Sequence, residues 1–154
     1  MVTVSVRPVI IEQTVANWHL HLRGQFPGGL DELLHDEVVF LSPIVFTPQV
    51  GKAVTKLYLE AAAVTLPGER PAGDTSVGSG AGGFRYVKEV LSGHQAVLEF
   101  ETTVEGKYVN GVDIITCDDA GKITEFKVMI RPLQAVNLVH AQMGRMLEAM
   151  KGPT

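Results

Sequence analysis

The stretch HQAVLEFETTVEGKYVNGVDIITC, residues 94–117, decides the fold of this chain. In its first half the side chains of Leu98, Phe100, Thr102 and Val104 alternate with charged or polar ones. A period of two is typical of a strand with one covered and one polar face. Because Glu105 and Gly106 suit a tight turn, the stretch predicts an antiparallel hairpin with one face in the core.

Two further strands flank this hairpin. Residues 84–91 precede it and residues 122–131 follow it, and both runs are rich in β-branched and aromatic side chains. Ser92-Gly93 and the run Asp118 to Gly121 supply the turns. The second half of the chain therefore predicts a curved antiparallel sheet.

The first half is predicted to be mostly helical. Apolar residues recur at helical spacing over residues 8–23, 29–35 and 51–66, which predicts three helices. Two extended pieces, residues 37–42 and 44–47, lie between the second and third helices and end at prolines.

A last helix is predicted after Pro132. Its apolar stripe should dock on the rest of the domain, and it contains Leu133, Val136, His140, Met143, Met146 or Leu147, and Met150. Residues 67–83 contain six glycines and hardly any apolar side chains, so we expect a mobile loop there. The fold class is thus α+β, with the sheet, three N-terminal helices and a C-terminal helix enclosing an apolar pocket.

Length and charge limit the function classes. The 154 residues suit one domain, 1–154, and the net charge of −4 comes without any run of Lys or Arg. Nucleic acid is therefore not an expected partner, because no basic stripe follows a phosphate backbone. Each apolar run is interrupted before the roughly 20 residues that cross a bilayer, so no membrane partner is expected either.

Cysteine usage points to a reducing compartment. The one cysteine cannot form an internal disulfide, and the start MVTVSVRP lacks the apolar run of a signal peptide. We therefore expect a cytoplasmic protein.

The order of these elements resembles the nuclear transport factor 2-like superfamily over residues 9–131. Four stretches carry the resemblance: NWHLHL at 17–22, VVFLSP at 38–43, GKAV at 51–54 and VDIITCDDAGKI at 112–123. The superfamily includes ketosteroid isomerase, SnoaL-like polyketide cyclases and limonene epoxide hydrolase. The resemblance implies a cone-shaped fold around a pocket for a small apolar molecule, and a homodimer.

Residue by residue, the resemblance to ketosteroid isomerase is incomplete. The general-base aspartate of that enzyme falls on Ser42, which cannot take a proton at neutral pH. Its oxyanion tyrosine falls on Trp18, whose indole N–H donates one hydrogen bond. Its second oxyanion group, an acid held neutral by apolar surroundings, matches Asp113.

The other two members differ as well. The arginine of limonene epoxide hydrolase falls on Gly111, although Arg131 could supply a guanidinium from elsewhere. In SnoaL-like cyclases the acid/base aspartate lies in the pocket, and its counterpart here is Asp113. Among the three, the cyclases resemble this chain best.

Asp113 and His21 are the candidate catalytic residues. Asp113 stands between Val112 and Ile114 in a strand, where a carboxylate is uncommon unless it is paired, solvated or functional. An aspartate in a salt bridge on the outer face is the alternative. His21 should point into the pocket and His19 away from it, because residues two apart diverge by roughly 200° around a helix.

The remaining candidates would line the pocket or fill the core. They are Trp18, Phe40, Ser42, Phe46, Tyr58, Phe100, Phe126 and Ile130. No two histidines have metal-ligand spacing beside a carboxylate, so neither a metal nor another cofactor is expected.

Two functions remain open at this stage. In the first, the pocket binds a small apolar metabolite and Asp113 acts as acid/base in an isomerisation, cyclisation or epoxide opening. In the second, the chain is a non-catalytic ligand-binding or dimerisation module whose outer sheet face and Met-rich last helix form the interface. An open cavity facing Asp113 would favour the enzyme, and a filled core would favour the module.

Overall fold

The computed structural model describes residues 9–66 and 83–150. It contains helices α1 (Ile10–Leu22), α2 (Gly29–Leu33), α3 (Lys52–Thr65) and α4 (Leu133–Met150), and strands β1 (Leu34–Leu41), β2 (Gln49–Val50), β3 (Arg85–Ser92), β4 (Gln95–Val104), β5 (Lys107–Cys117) and β6 (Ile123–Arg131). The predicted α+β class is confirmed. The loop predicted over residues 67–83 lies outside the described residues except for Gly83.

The six strands form one curved sheet in the order β2-β1-β6-β5-β4-β3. Strands β3 to β6 pair antiparallel as predicted, but β1 pairs parallel with β6, with Phe40 opposite Phe126. The predicted antiparallel sheet is thus confirmed for β3 to β6, and the whole sheet is mixed because of the pairing between β1 and β6. Hairpin signals reveal only neighbours in sequence, whereas α3 and four strands separate β1 from β6 in the chain. The sequence therefore has no local signal for the direction of this pairing.

The second extended piece was also misplaced. Residues 44–47 form no strand, and the short strand that pairs with β1 is Gln49–Val50. The Ser42 hydroxyl accepts hydrogen bonds from the backbone N–H groups of Ile44 at 3.0 Å and Val45 at 3.2 Å. This local serine bonding turns the chain directly after β1, in competition with an extended conformation.

The inner face of the sheet meets the helices in a continuous core. Leu98, Phe100 and Val104 of β4 are buried as the alternation predicted, and Ile11 and Trp18 of α1 pack over the same face of the sheet. The outer face is less polar than predicted. Its centre contains Val90, Val97, Val112, Ile114 and Met129, which lie in adjacent register on β3 to β6.

Helix α4 docks through a stripe that the prediction gave only in part, because Met143 packs against the core but other predicted members do not. Ala135 and Val139 are buried, whereas Leu133 is 73% exposed and His140 is exposed. Periodicity identified an amphipathic helix correctly, but Met and Leu recur on more than one side of this helix, so hydrophobicity alone did not fix its rotation.

Among the described residues, no helix is long and apolar enough to span a membrane.

Candidate functional site

A cavity of about 470 Å³ lies between the inner face of the sheet and helices α1, α3 and α4. Its wall is mostly apolar. It is lined by most of the residues selected from the sequence: Trp18, Phe40, Ser42, Tyr58, Phe100, Asp113, Phe126 and Ile130. Phe40 stacks on Tyr58 with ring centroids 5.1 Å apart, which connects α3 to the sheet at this wall.

Asp113 is the one carboxyl group that lines this cavity within the described residues. The Asp113 side chain projects from the inner face of β5, opposite Leu98 on β4 and Val128 on β6. Only 6% of this residue is exposed. Burial raises the pKa of this carboxyl to about 7, because the charged form loses more hydration than the neutral form. The carboxyl can therefore both donate and accept a proton near neutral pH.

A tyrosine that the sequence analysis missed holds Asp113 in place. The Tyr86 hydroxyl donates to Asp113 Oδ2 at 2.5 Å and accepts from Trp18 Nε1 at 3.0 Å. The bond to Asp113 favours the ionised carboxylate and so opposes the effect of burial on its pKa. Within the described residues Asp113 Oδ1 has no hydrogen-bond partner, so this oxygen is free to meet a ligand.

A bulge explains why Tyr86 was missed. The pairs Ser92 with Gln95 and Leu91 with Ala96 set a register that, continued without interruption, would place Tyr86 opposite Glu101 on the outer face. The register instead shifts between Tyr86 and Lys88, and Tyr86 lies opposite Phe100 on the inner face. One extra residue moves a side chain across the sheet, and no composition signal marks this bulge.

Two of the predicted site residues lie elsewhere. Phe46 is 98% exposed and does not line the cavity, because it belongs to the turn after β1 rather than to a strand. His21 packs against the Trp18 ring, 5.6 Å between centroids, and faces α2 near Gly29. Partial burial lowers the pKa of His21.

The prediction for His21 and His19 was wrong, although Ile11 and Trp18 face the core as the helical spacing predicts. The two histidines flank the buried stripe on opposite sides, and spacing alone does not show which side meets the cavity. His19 lines the cavity together with Trp18, and its Nε2 contacts Glu89 Oε1 of β3. Its ring also meets Tyr86 edge-on, with centroids 5.5 Å apart. Trp18, His19, Tyr86, Glu89 and Asp113 are thus linked by contacts into one group, the polar cluster, at a wall that is mostly apolar.

The epoxide hydrolase arrangement does not fit the packing. A Cβ atom at Gly111 would lie 2.5 Å from Phe100 Cζ and 2.5 Å from the Met129 carbonyl oxygen, so no side chain can replace this glycine without displacing its neighbours. Arg131 does not line the cavity and bonds Asn110 Oδ1 at 3.4 Å. Neither position 111 nor Arg131 therefore supplies the arginine that the epoxide hydrolase arrangement requires.

Several solved structures share this fold. No family model and no curated protein matches the chain. A steroid delta-isomerase from Pseudomonas aeruginosa superposes with a TM-score of 0.79 at 28% identity, and the match covers 96% of this chain and 100% of that one. A nuclear transport factor 2-like protein of unknown function from Mesorhizobium loti superposes with a TM-score of 0.59 at 19% identity, covering 82% and 98% of the two chains. The chain has the nuclear transport factor 2-like fold.

A third solved structure supports the same fold. A bacterial protein with a cystatin-like fold from Silicibacter pomeroyi has a TM-score of 0.69 at 23% identity, covering 86% of this chain and 83% of that one. In the part of this chain that is described, no three His, Cys, Asp or Glu side chains are grouped as metal ligands.

Proposed function

We propose that this nuclear transport factor 2-like protein binds a small, largely apolar carbonyl compound and isomerises it by acid–base chemistry. One observation carries the proposal: Asp113 is buried at the wall of an apolar cavity, and among the described residues one of its oxygens has no hydrogen-bond partner. This burial raises the pKa of the carboxyl to about 7. Apolar cavities with a few convergent polar groups are typical of small-molecule sites. The similarity to a steroid delta-isomerase supports the same reaction class.

The chemistry follows from the two states of the carboxyl. In its neutral form Asp113 donates a hydrogen bond to a carbonyl oxygen, and Tyr86 holds the carboxyl in a fixed orientation. Removal of a proton next to the carbonyl moves charge onto that oxygen, where a preorganised donor in a dry site is most effective. Asp113 therefore acts as the acid/base group at the substrate oxygen. A cyclisation would begin with the same enolisation, whereas epoxide opening would lack its arginine.

A non-catalytic binding module is the second candidate. Ser42, where the isomerase has its general base, has its hydroxyl occupied by two backbone N–H groups. This arrangement makes Ser42 a turn residue rather than a proton acceptor. A binding module would keep the cavity and use the polar cluster only to orient a ligand.

Turnover of a β,γ-unsaturated steroid ketone separates the two candidates. We expect the conjugated isomer to form, and Asp113→Asn to lower kcat by roughly two to four orders of magnitude because the amide cannot exchange a proton. Asp119→Asn, an exposed carboxyl beside His94, is the matched control and should leave kcat unchanged. Binding of the ketone in a thermal-shift assay without turnover would favour the module.

A further inference from the structure

We propose that His19 is the base that removes the proton from carbon, and that Glu89 is its positioning residue. This inference rests on the proposed isomerisation. Asp113 acts at the substrate oxygen and Ser42 cannot accept a proton, so the reaction still needs a base at carbon. Neither His19 nor Glu89 is among the residues that match the site of ketosteroid isomerase. The helical spacing predicted that His19 points away from the cavity.

The contact between His19 and Glu89 is the first observation. His19 extends from α1 into the cavity wall, and its Nε2 contacts Glu89 Oε1 on β3. Glu89 is directed to this side of the sheet because its partner in β4 is Leu98, which is fully buried. The two side chains are only partly exposed, at 27% and 36%.

The partner of Nε2 determines the chemistry of the other nitrogen. A carboxylate only accepts hydrogen bonds, so Nε2 of a neutral His19 has the hydrogen and Nδ1 keeps the lone pair. No described residue forms a hydrogen bond to Nδ1. Once Nδ1 has taken a proton, the carboxylate of Glu89 stabilises the imidazolium, as the orienting acid does in a catalytic triad.

Tyr86 contacts both the base and the acid. Its ring contacts His19 edge-on at 5.5 Å between centroids, while its hydroxyl donates to Asp113 at 2.5 Å. A ketone whose oxygen meets Asp113 Oδ1 would therefore lie along Tyr86 with its neighbouring carbon toward His19. His140 also lines the cavity, but it is exposed on α4 and has no oriented partner among the described residues.

The step balances without an oxidant or a cofactor. His19 Nδ1 accepts the proton on the carbon between the carbonyl and the double bond, and the electron pair of that C–H bond forms a new carbon–carbon double bond. The carbonyl electron pair moves to oxygen, which takes the proton of neutral Asp113 and returns it when the carbonyl re-forms. His19 then returns the proton to the far carbon of the original double bond, the carbonyl re-forms, and both residues regain their starting state.

Kinetics with a β,γ-unsaturated steroid ketone test the inference. We expect His19→Ala to lower kcat by about 10²- to 10⁴-fold with little change in KM, and added imidazole to restore part of the rate. Glu89→Gln should lower kcat by about tenfold, again with KM unchanged, because His19 loses its orientation. His94→Ala is the matched control, since His94 forms a similar pair with Asp119 at 2.8 Å on the surface.

Each outcome has a distinct meaning. If the wild-type protein turns over the ketone and His19→Ala does so equally well, the inference is overturned while the proposed function stands. If the wild-type protein neither binds nor converts the ketone, both are overturned. A nitrogen NMR spectrum that shows the Nδ1–H tautomer of His19 overturns the inference without any substrate, and the Nε2–H tautomer is the expected result.

Discussion

At the scale of single residues, the site depends on the conflict between burial and ionisation at Asp113. Burial favours the neutral carboxyl, and the hydrogen bond from Tyr86 favours the charged form. Burial is the larger effect, so the pKa is about 7. A carboxyl in this state destabilises the fold at neutral pH, because the unfolded chain ionises freely.

The difference in the free energy of unfolding between Asp113→Asn and the wild-type protein therefore depends on pH. Below about pH 4 the Asp113 carboxyl is protonated in both the folded and the unfolded wild-type protein, so the substitution removes no charge. As pH rises from about 4 to 7 the unfolded wild-type chain loses this proton first, so the free energy of unfolding falls, by up to about 4 kcal/mol. We expect urea unfolding to show Asp113→Asn gaining stability relative to wild type across this range.

Asp36→Asn is the matched control, because the pKa of Asp36 is shifted in the opposite direction. The hydrogen bond and charge of Lys52 lower the pKa of Asp36, which is exposed. Its ionised form is favoured in the folded protein, so Asp36→Asn should not become more stable than wild type as pH rises. Equal pH dependence for the two variants would contradict the assigned state of Asp113.

Tyr86→Phe tests the hydrogen bond alone. Loss of the hydroxyl removes the group that favours the charged carboxylate, so the pKa of Asp113 should rise above about 7. Carboxyl NMR titration measures this shift. Tyr108→Phe is the control, because Tyr108 bonds Glu101 at 3.0 Å on the outer face, and it should leave the pKa of Asp113 unchanged.

At the scale of elements, β5 must have glycine at position 111 so that Phe100 can cross it. A Cβ there would meet the Phe100 ring and the Met129 carbonyl oxygen at 2.5 Å, whereas a Cβ at Gly144 in α4 would have no neighbour within 4 Å. We expect Gly111→Ala to lower the free energy of unfolding by about 1–3 kcal/mol through overpacking. Gly144→Ala should raise it by about 0.5–1 kcal/mol, since alanine is the better helix former.

Urea denaturation of the two alanine variants measures both effects with the same chemical change. Stabilisation by Gly111→Ala would show that β5 is not packed as described. A loss at Gly144→Ala would contradict the open surroundings of that helix position.

Periodicity and turn residues predicted most elements, because these signals are local. The helices and the four strands of the second half followed from them, and so did the inward face of β4. Three features depend on contacts between distant segments: the side of α1 that meets the cavity, the bulge that turns Tyr86 inward, and the parallel pairing of β1 with β6. Asp113 was found because an isolated carboxyl in an apolar strand is uncommon, whereas Tyr86 and His19 carried no comparable signal.

At the scale of the whole molecule, the outer face of the sheet is a candidate interface. Its apolar centre consists of Val90, Val97, Val112, Ile114 and Met129, and Arg85 with Glu101 and Lys88 with Glu99 form ion pairs along one side. We propose that two chains pair through this face, because an apolar centre with a charged rim is the usual anatomy of such contacts.

Light scattering at micromolar concentration should report about twice the 16.6 kDa chain mass. Ile114→Glu should give the monomer, because a carboxylate would be buried in the interface. Val50→Glu, at an exposed valine on the β2 edge, should leave the dimer intact. A wild-type monomer under these conditions would rule the interface out.

The titration of Asp113 tests the account of the whole site most directly, and it needs no substrate. Carboxyl carbon NMR on the ligand-free protein, assigned by comparison with Asp113→Asn, follows this group from acid to neutral pH. A pKa of about 7 is the predicted result, since it requires a buried carboxyl beside Tyr86 at the wall of the cavity. A pKa at or below the value of about 3.9 for a free aspartate would contradict the account, because the carboxyl would then be solvated or paired with a cation.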